Sequence, residues 1–227
     1  MKEYAPIDDV SFRGKLLVEE LRPLVRRTEL LTQKEFEKIK NTDAVVALSA
    51  AQEKLPHRDR AKRFDKEQEY LEAFLETSDE NRARIGTAIE IIGIIQKRTG
   101  NTPPLVLNGE DQQLVGMFYV AKQLGFEGEI LFQNSGAYPH SNTKTQFIEL
   151  REDPDLTPKH ITFVSTGYHE PRIVRTANKQ LPREIDFTVI PMPYDRYRYP
   201  IETRLRGEAD RIATYSANGD ISRERER

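Results

Sequence analysis

Short apolar runs alternate with stretches of helical periodicity along most of the chain. Residues 43–50, "DAVVALSA", form a branched, almost wholly apolar run. A run of that length and composition suits a parallel strand covered on both faces. "PLVLNG" (104–109), "GEILFQN" (128–134), "HITFVST" (160–166) and "DFTVIPMP" (186–193) repeat the signal. Together they predict five principal strands near 43–49, 104–108, 128–133, 160–165 and 186–191, each of them buried.

Between the strands the apolar period lengthens to that of a helix. Ile85, Ala88, Ile89, Ile92 and Ile95 make one stripe, which Ile91 and Ile94 widen. Thr77, three residues before Glu80, has the spacing of a capping box, and Gly100 marks the other end. Further helices are predicted through 111–124, stopping at Gly125, over "NTKTQFIELRE", from about Pro171 to Lys179, and over 201–217. Upstream, Leu16, Leu17, Leu21, Leu24, Leu30, Leu31, Phe36 and Ile39 recur at helical spacing over 11–40, with Pro23 breaking or kinking the stretch.

Five strand–helix alternations predict an α/β fold of three layers, α/β/α, around a mainly parallel sheet of about five strands. The expected organisation is an N-terminal helical segment (1–42), an α/β domain (43–217) and a flexible tail (218–227). Within the domain, residues 51–76 are highly charged and read as an excursion over the end of the first strand, either an exposed insertion or a solvated lid. Right-handed crossovers gather the C-terminal strand ends on one edge of such a sheet. Ligands of open α/β sheets bind outside that edge.

Composition narrows the function classes. The 227 residues carry 35 basic and 37 acidic side chains, mixed along the chain, for a net charge of −2. That balance gives no global field to draw in nucleic acid or an anionic membrane. Cysteine is absent, which excludes disulfides, thiol nucleophiles and thiolate metal sites. No signal-peptide core opens the sequence, and no run approaches the roughly 18–20 apolar residues of a membrane span. A soluble, cytoplasmic protein without a membrane span is expected.

Four segments fall on the predicted rim: Ser49-Ala50-Ala51, Asn108-Gly109-Glu110, Gln133-Asn134-Ser135-Gly136 and Ser165-Thr166-Gly167-Tyr168-His169. All are small or polar, and each precedes a helix or loop. His169 and Arg172 are the sharpest pair. With Pro171 in the first turn, both flank a helix start, where a histidine can hold phosphate or carboxylate or transfer a proton. The plainer alternative is a turn histidine satisfied by a neighbouring loop, with Arg172 paired to an acidic residue.

No GxxxxGK[ST] run occurs, and no GxGxxG follows the first strand. His57, His140, His160 and His169 lie far apart, so no metal site is expected. Ser165 or Ser135 near His169 imitates a nucleophile–base pair without a nucleophile-elbow motif. "PMPYDRYRYP" (191–200) reads as a structured loop beside the rim, with base stacking as its alternative.

The order of these features resembles the YdcF-like family, which includes the SanA and ElyC envelope proteins and shares a Rossmann-like α/β domain. The similarity runs over about residues 43–215: "DAVVALSA", the arginine-led "RIGTAIEII", "PLVLNG", "SNTKTQ" and, most specifically, "VSTGYHEPR". It implies a rim-site role for Arg84, Asn142, Thr143, Ser165, Thr166, His169 and Arg172, beside the rim residues Ser49, Asn108 and Gly109. His169 is the candidate catalytic group. The chain departs from the family pattern where Ser49 and Ala50 replace a glycine pair, where Asn108 precedes Gly109, where Gln113 or Asp111 stands for a glutamate, and at Thr145-Gln146. The resemblance implies a small-molecule ligand, anionic or nucleotide-like, with S-adenosylmethionine associated with some members. The rim and the resemblance together suggest a small-molecule-binding α/β protein, with an enzyme acting on a phosphorylated or nucleotide-like compound as one form of it. The alternative is a non-catalytic interaction protein that keeps the fold. Nucleic acid is not an expected partner.

Overall fold

The computed structural model describes residues 27–50, 79–134, 142–153, 156–197 and 200–222. Outside them lie most of the predicted N-terminal helix, the 51–76 excursion, the Thr77 cap, the Ser135-Gly136 turn and residues 223–227 of the tail.

Strands β1 (Ala44–Leu48), β2 (Leu105–Gly109), β3 (Ile130–Asn134), β4 (His160–Ser165) and β5 (Asp186–Pro191) form one sheet. Its order is β3-β2-β1-β4-β5, and every pairing is parallel. The connecting helices are α1 (Gln33–Ile39), α2 (Asp79–Thr99), α3 (Asp111–Gln123), α4 (Thr143–Glu152), α5 (Glu170–Gln180) and α6 (Ile201–Ala217). This is the three-layer, Rossmann-like α/β arrangement that the alternation predicts.

All five residues of β1 are buried, because both faces of the central strand are covered. Val45 and Ala47 point to the layer of α1, α2 and α3, where Ile85, Ile92 and Met117 pack. Ala44, Val46 and Leu48 point to α4 and α5, where Phe147 and Ile173 meet them. Each valine or leucine so enclosed contributes about 1.5–3 kcal/mol of transfer free energy. The edges differ from the expectation of uniform burial. β5 begins exposed and is buried only at its last two residues, and Phe132 on β3 is half-exposed. An edge strand has a neighbour on one side alone, so its outer flank stays open.

The helix predicted over 11–40 is shorter in its described part. Thr32 and Glu35 close a reciprocal capping box that starts α1 at Gln33, leaving Leu30 and Leu31 ahead of the helix against the core. In α2 the stripe is buried at Ile85, Ala88, Ile91, Ile92 and Ile95, while Ile89 and Ile94 flank it half-buried. The last turn hands over to Gly100, whose φ of 79° only glycine adopts readily.

Candidate functional site

β1 lies between β2 and β4, and the helices that follow β1 and β4 pack on opposite faces of the sheet. The crevice this opens at the C-terminal strand ends is where open α/β sheets place ligands. A cleft of about 230 Å³ lies there.

Its first wall comes from α2. Arg84 is buried, and its Nη1 donates to the carbonyls of Leu48 (2.9 Å) and Ser49 (3.1 Å), tying the helix to the end of β1. Its Nη2 donates to Glu80 and to Thr166 Oγ1 (3.2 Å). The Tyr168 hydroxyl donates to the same Glu80 oxygen at 2.9 Å, and burial beside that carboxylate raises the phenol's pKa. Arg84 therefore lies on the cleft with four N–H groups committed to protein acceptors, and only its buried Nε lacks a partner among the described residues. It lends the cleft charge, while its hydrogen bonds brace the sheet edge.

The second wall is the start of α5. His169 is the N-cap residue and Pro171 sits in the first turn, as the helix-start pattern predicts. His169 Nδ1 lies 3.1 Å from Ser165 Oγ, and Nε2 lies 3.3 Å from Thr143 Oγ1 at the head of α4. Burial, then the charges of Arg172, Arg84 and Arg211, hold its pKa well below the ordinary histidine value. Both effects favour the neutral imidazole. Three arginines around the ring disfavour a further positive charge on it. Arg172 donates from Nη1 to Thr143 Oγ1 at 2.5 Å, and from Nε and Nη2 to Glu208, a carboxylate with no exposure at all.

Side-chain amides close the floor. Gln146 donates to Ser49 Oγ (3.0 Å) and to the Asn108 carbonyl (3.4 Å), and Asn108 Nδ2 donates to the Gln146 carbonyl (3.1 Å). Gln113 accepts from the Glu110 backbone N–H at 3.1 Å in the capping box that opens α3. Gly109 is required by packing. A Cβ there would stand 2.9 Å from Ser49 Cβ and 3.1 Å from Gln113 Oε1.

Of the residues singled out in the sequence, Ser49, Arg84, Asn142, Thr143, His169 and Arg172 line the cleft together. Asn108, Gly109, Ser165 and Thr166 do not line it; they are buried behind the wall and act on it through Gln146, Gln113, His169 and Arg84. Sequence reasoning missed the third wall. Arg204, Arg211 and Tyr215 of α6 face the cleft, with Glu208 behind them on Arg172 and Arg211. Their spacing of four, three and four residues puts them on one helix face, and that periodicity is the signal that could have found them. In the 191–200 segment, Tyr194 and Tyr197 pack against Tyr168 and Leu205, and Arg196 pairs with Glu90, as a structured loop would.

Among the described residues no cluster of His, Asp or Glu could hold a metal ion, and no helix is long and apolar enough to cross a membrane. No family model, curated protein or solved structure matches the chain.

Proposed function

We propose that the protein binds an anionic small molecule, phosphorylated or nucleotide-like, in the cleft between the ends of β1 and β4. One observation carries this reading: Arg172 and Arg211 share a single buried carboxylate, Glu208, on a cleft whose walls also hold Arg84 and Arg204. With Glu80 and Glu110 also on the cleft, the four arginines still outnumber the carboxylates, and an anion offsets the excess. The YdcF-like resemblance supports the same ligand class. S-adenosylmethionine fits the walls less well than a phosphorylated compound, because arginines repel its sulfonium while favouring only its carboxylate. The alternative of an interaction protein without a ligand expects side chains to fill the rim, whereas the cleft leaves about 230 Å³.

A thermal-shift and calorimetric panel of nucleotides, sugar phosphates and S-adenosylmethionine, at constant ionic strength, tests the proposal. Stabilisation by phosphorylated compounds is the expected result, and no stabilisation across the panel overturns it. Product analysis with each stabilising ligand separates turnover, with His169 as proton carrier, from binding alone.

A further inference from the structure

The protons at the cleft specify more than the class of ligand. Ser165 is fully buried, and its hydroxyl has one side-chain partner among the described residues, His169 Nδ1. If Nδ1 carried the proton of the neutral ring, Ser165 would accept it and leave its own O–H buried without an acceptor, which costs about 1–3 kcal/mol. The balanced arrangement has Ser165 donating to Nδ1, so the ring's proton resides on Nε2. Nε2–H then donates to Thr143 Oγ1, the oxygen that also accepts from Arg172 Nη1. Both lone pairs of Thr143 are filled, and its own O–H has no acceptor among the described residues. Thr143 is more than nine-tenths buried and lines the cleft, at the first turn of α4.

We propose that the Thr143 hydroxyl is the donor that fixes a phosphate group in this cleft, with His169 as a positioning residue that holds Thr143 in the donating orientation through its Nε2–H tautomer. Arg172 and Arg211 supply the charge. Among the described residues three of the five N–H groups of Arg172 are committed, to Thr143 and twice to Glu208, so two can turn to an oxygen of the ligand. Arg211 approaches from α6 with its side chain half-exposed and, among the described residues, one 3.4 Å contact to Glu208. A hydroxyl and two guanidiniums on three different helices meet a group from separate directions. A tetrahedral phosphate can answer such donors, whereas a planar carboxylate suits one bidentate fork.

The inference rests on the cleft being an anion site, and the test separates the two. Inorganic phosphate is titrated into the full chain and followed by phosphorus NMR at constant ionic strength, with acetate as the comparison anion. Thr143→Val should weaken phosphate binding at least tenfold, and Thr143→Ser should restore it. Arg211→Ala should weaken it similarly with the fold unchanged, since that side chain is half-exposed. Nitrogen NMR of the His169 ring should show the Nε2–H tautomer, and Ser165→Ala should move the ring towards Nδ1–H. Phosphate binding that Thr143→Val leaves intact, acetate binding as tightly as phosphate, or an Nδ1–H ring in the unaltered protein each overturns the inference while leaving the anion site standing. If Thr143→Val does not fold, the tautomer and the Arg211→Ala result decide. Failure of phosphate and of every ligand in the wider panel overturns both.

Discussion

At the scale of single residues, the site is built from buried charges whose partners are other parts of the protein. Arg84 and Glu80 are the clearest case, since their ion pair is also the anchor for the end of β1 and for Tyr168. Removing one member of a buried pair strands the other, which costs about 3–5 kcal/mol. Arg84→Ala should therefore lower the urea-unfolding free energy by that amount. Arg84→Lys should recover only part of it, because an ammonium cannot span the two carbonyls and the carboxylate that the planar fork reaches. His169 makes a prediction of opposite character. Its folded-state pKa is depressed, so the unfolded chain takes up the proton first as pH falls below the ordinary 6.5. The stability it contributes is complete above that value and is lost on the way down towards the folded pKa, at up to about 1.4 kcal/mol per pH unit. His160 is pulled the same way by burial, but Asp186 and Asp43 oppose the shift. Urea midpoints between pH 7.5 and 5 should thus flatten clearly in His169→Gln and only slightly in His160→Gln; equal slopes would contradict a neutral His169.

At the scale of elements, the strands were legible because each is a short apolar run, and helices α2 to α6 because their apolar period is unbroken. The rim turns could be read as polar and small, but not what fills them. Gly109 illustrates the gap. Its φ is not left-handed, so no turn rule demands glycine there; the demand comes from Ser49 and Gln113, residues distant in sequence. Gly109→Ala should push β2 away from the β1 end and lower stability by about 1–3 kcal/mol in thermal denaturation, the usual range for overpacking. The helix at "NTKTQFIELRE" was legible but its cap was not read, and the cap's geometry gives it a measurable effect. Asn142 accepts from the Thr145 backbone N–H, and Thr145 returns the bond to Asn142. Asn142→Ala should destabilise by about 1 kcal/mol, and it should loosen phosphate binding as well, because Thr143 is the next residue. The face of α6 escaped notice for a physical reason. Arg204, Glu208, Arg211 and Tyr215 have the composition of a solvated helix surface, and packing with residues outside the helix turns that surface to the cleft: Leu205 against Tyr168, Ile212 with Ile221, and Glu208 on Arg172.

At the scale of the whole molecule, the sequence supplies the strands but not their neighbours. Local periodicity says nothing about whether β4 pairs with β3 or crosses over to β1, and that crossover creates the crevice on which the site depends. The order β3-β2-β1-β4-β5 also distributes stability unevenly. β1 is hydrogen-bonded on both sides and wholly buried, as are the interior positions of β4, whereas β5 is half-covered and β3 exposes Phe132. Native-state hydrogen exchange should resolve this gradient. Val46 and Phe163, each buried in the layer under α4 and α5, should exchange only through global unfolding, with a free energy equal to that from urea. Hydrogen-bonded amides of β5 should exchange at least tenfold faster, a difference of about 1.4 kcal/mol, because an edge strand can open without disturbing the centre. A saturating phosphorylated ligand should then slow exchange in the first turns of α4 and α5 and along α6, the three elements that carry Thr143, Arg172 and Arg211, beyond any uniform rise in the central strands. Protection confined to the central strands would mean that the ligand stabilises the fold from elsewhere, and the site at the β1–β4 crevice would have to be abandoned.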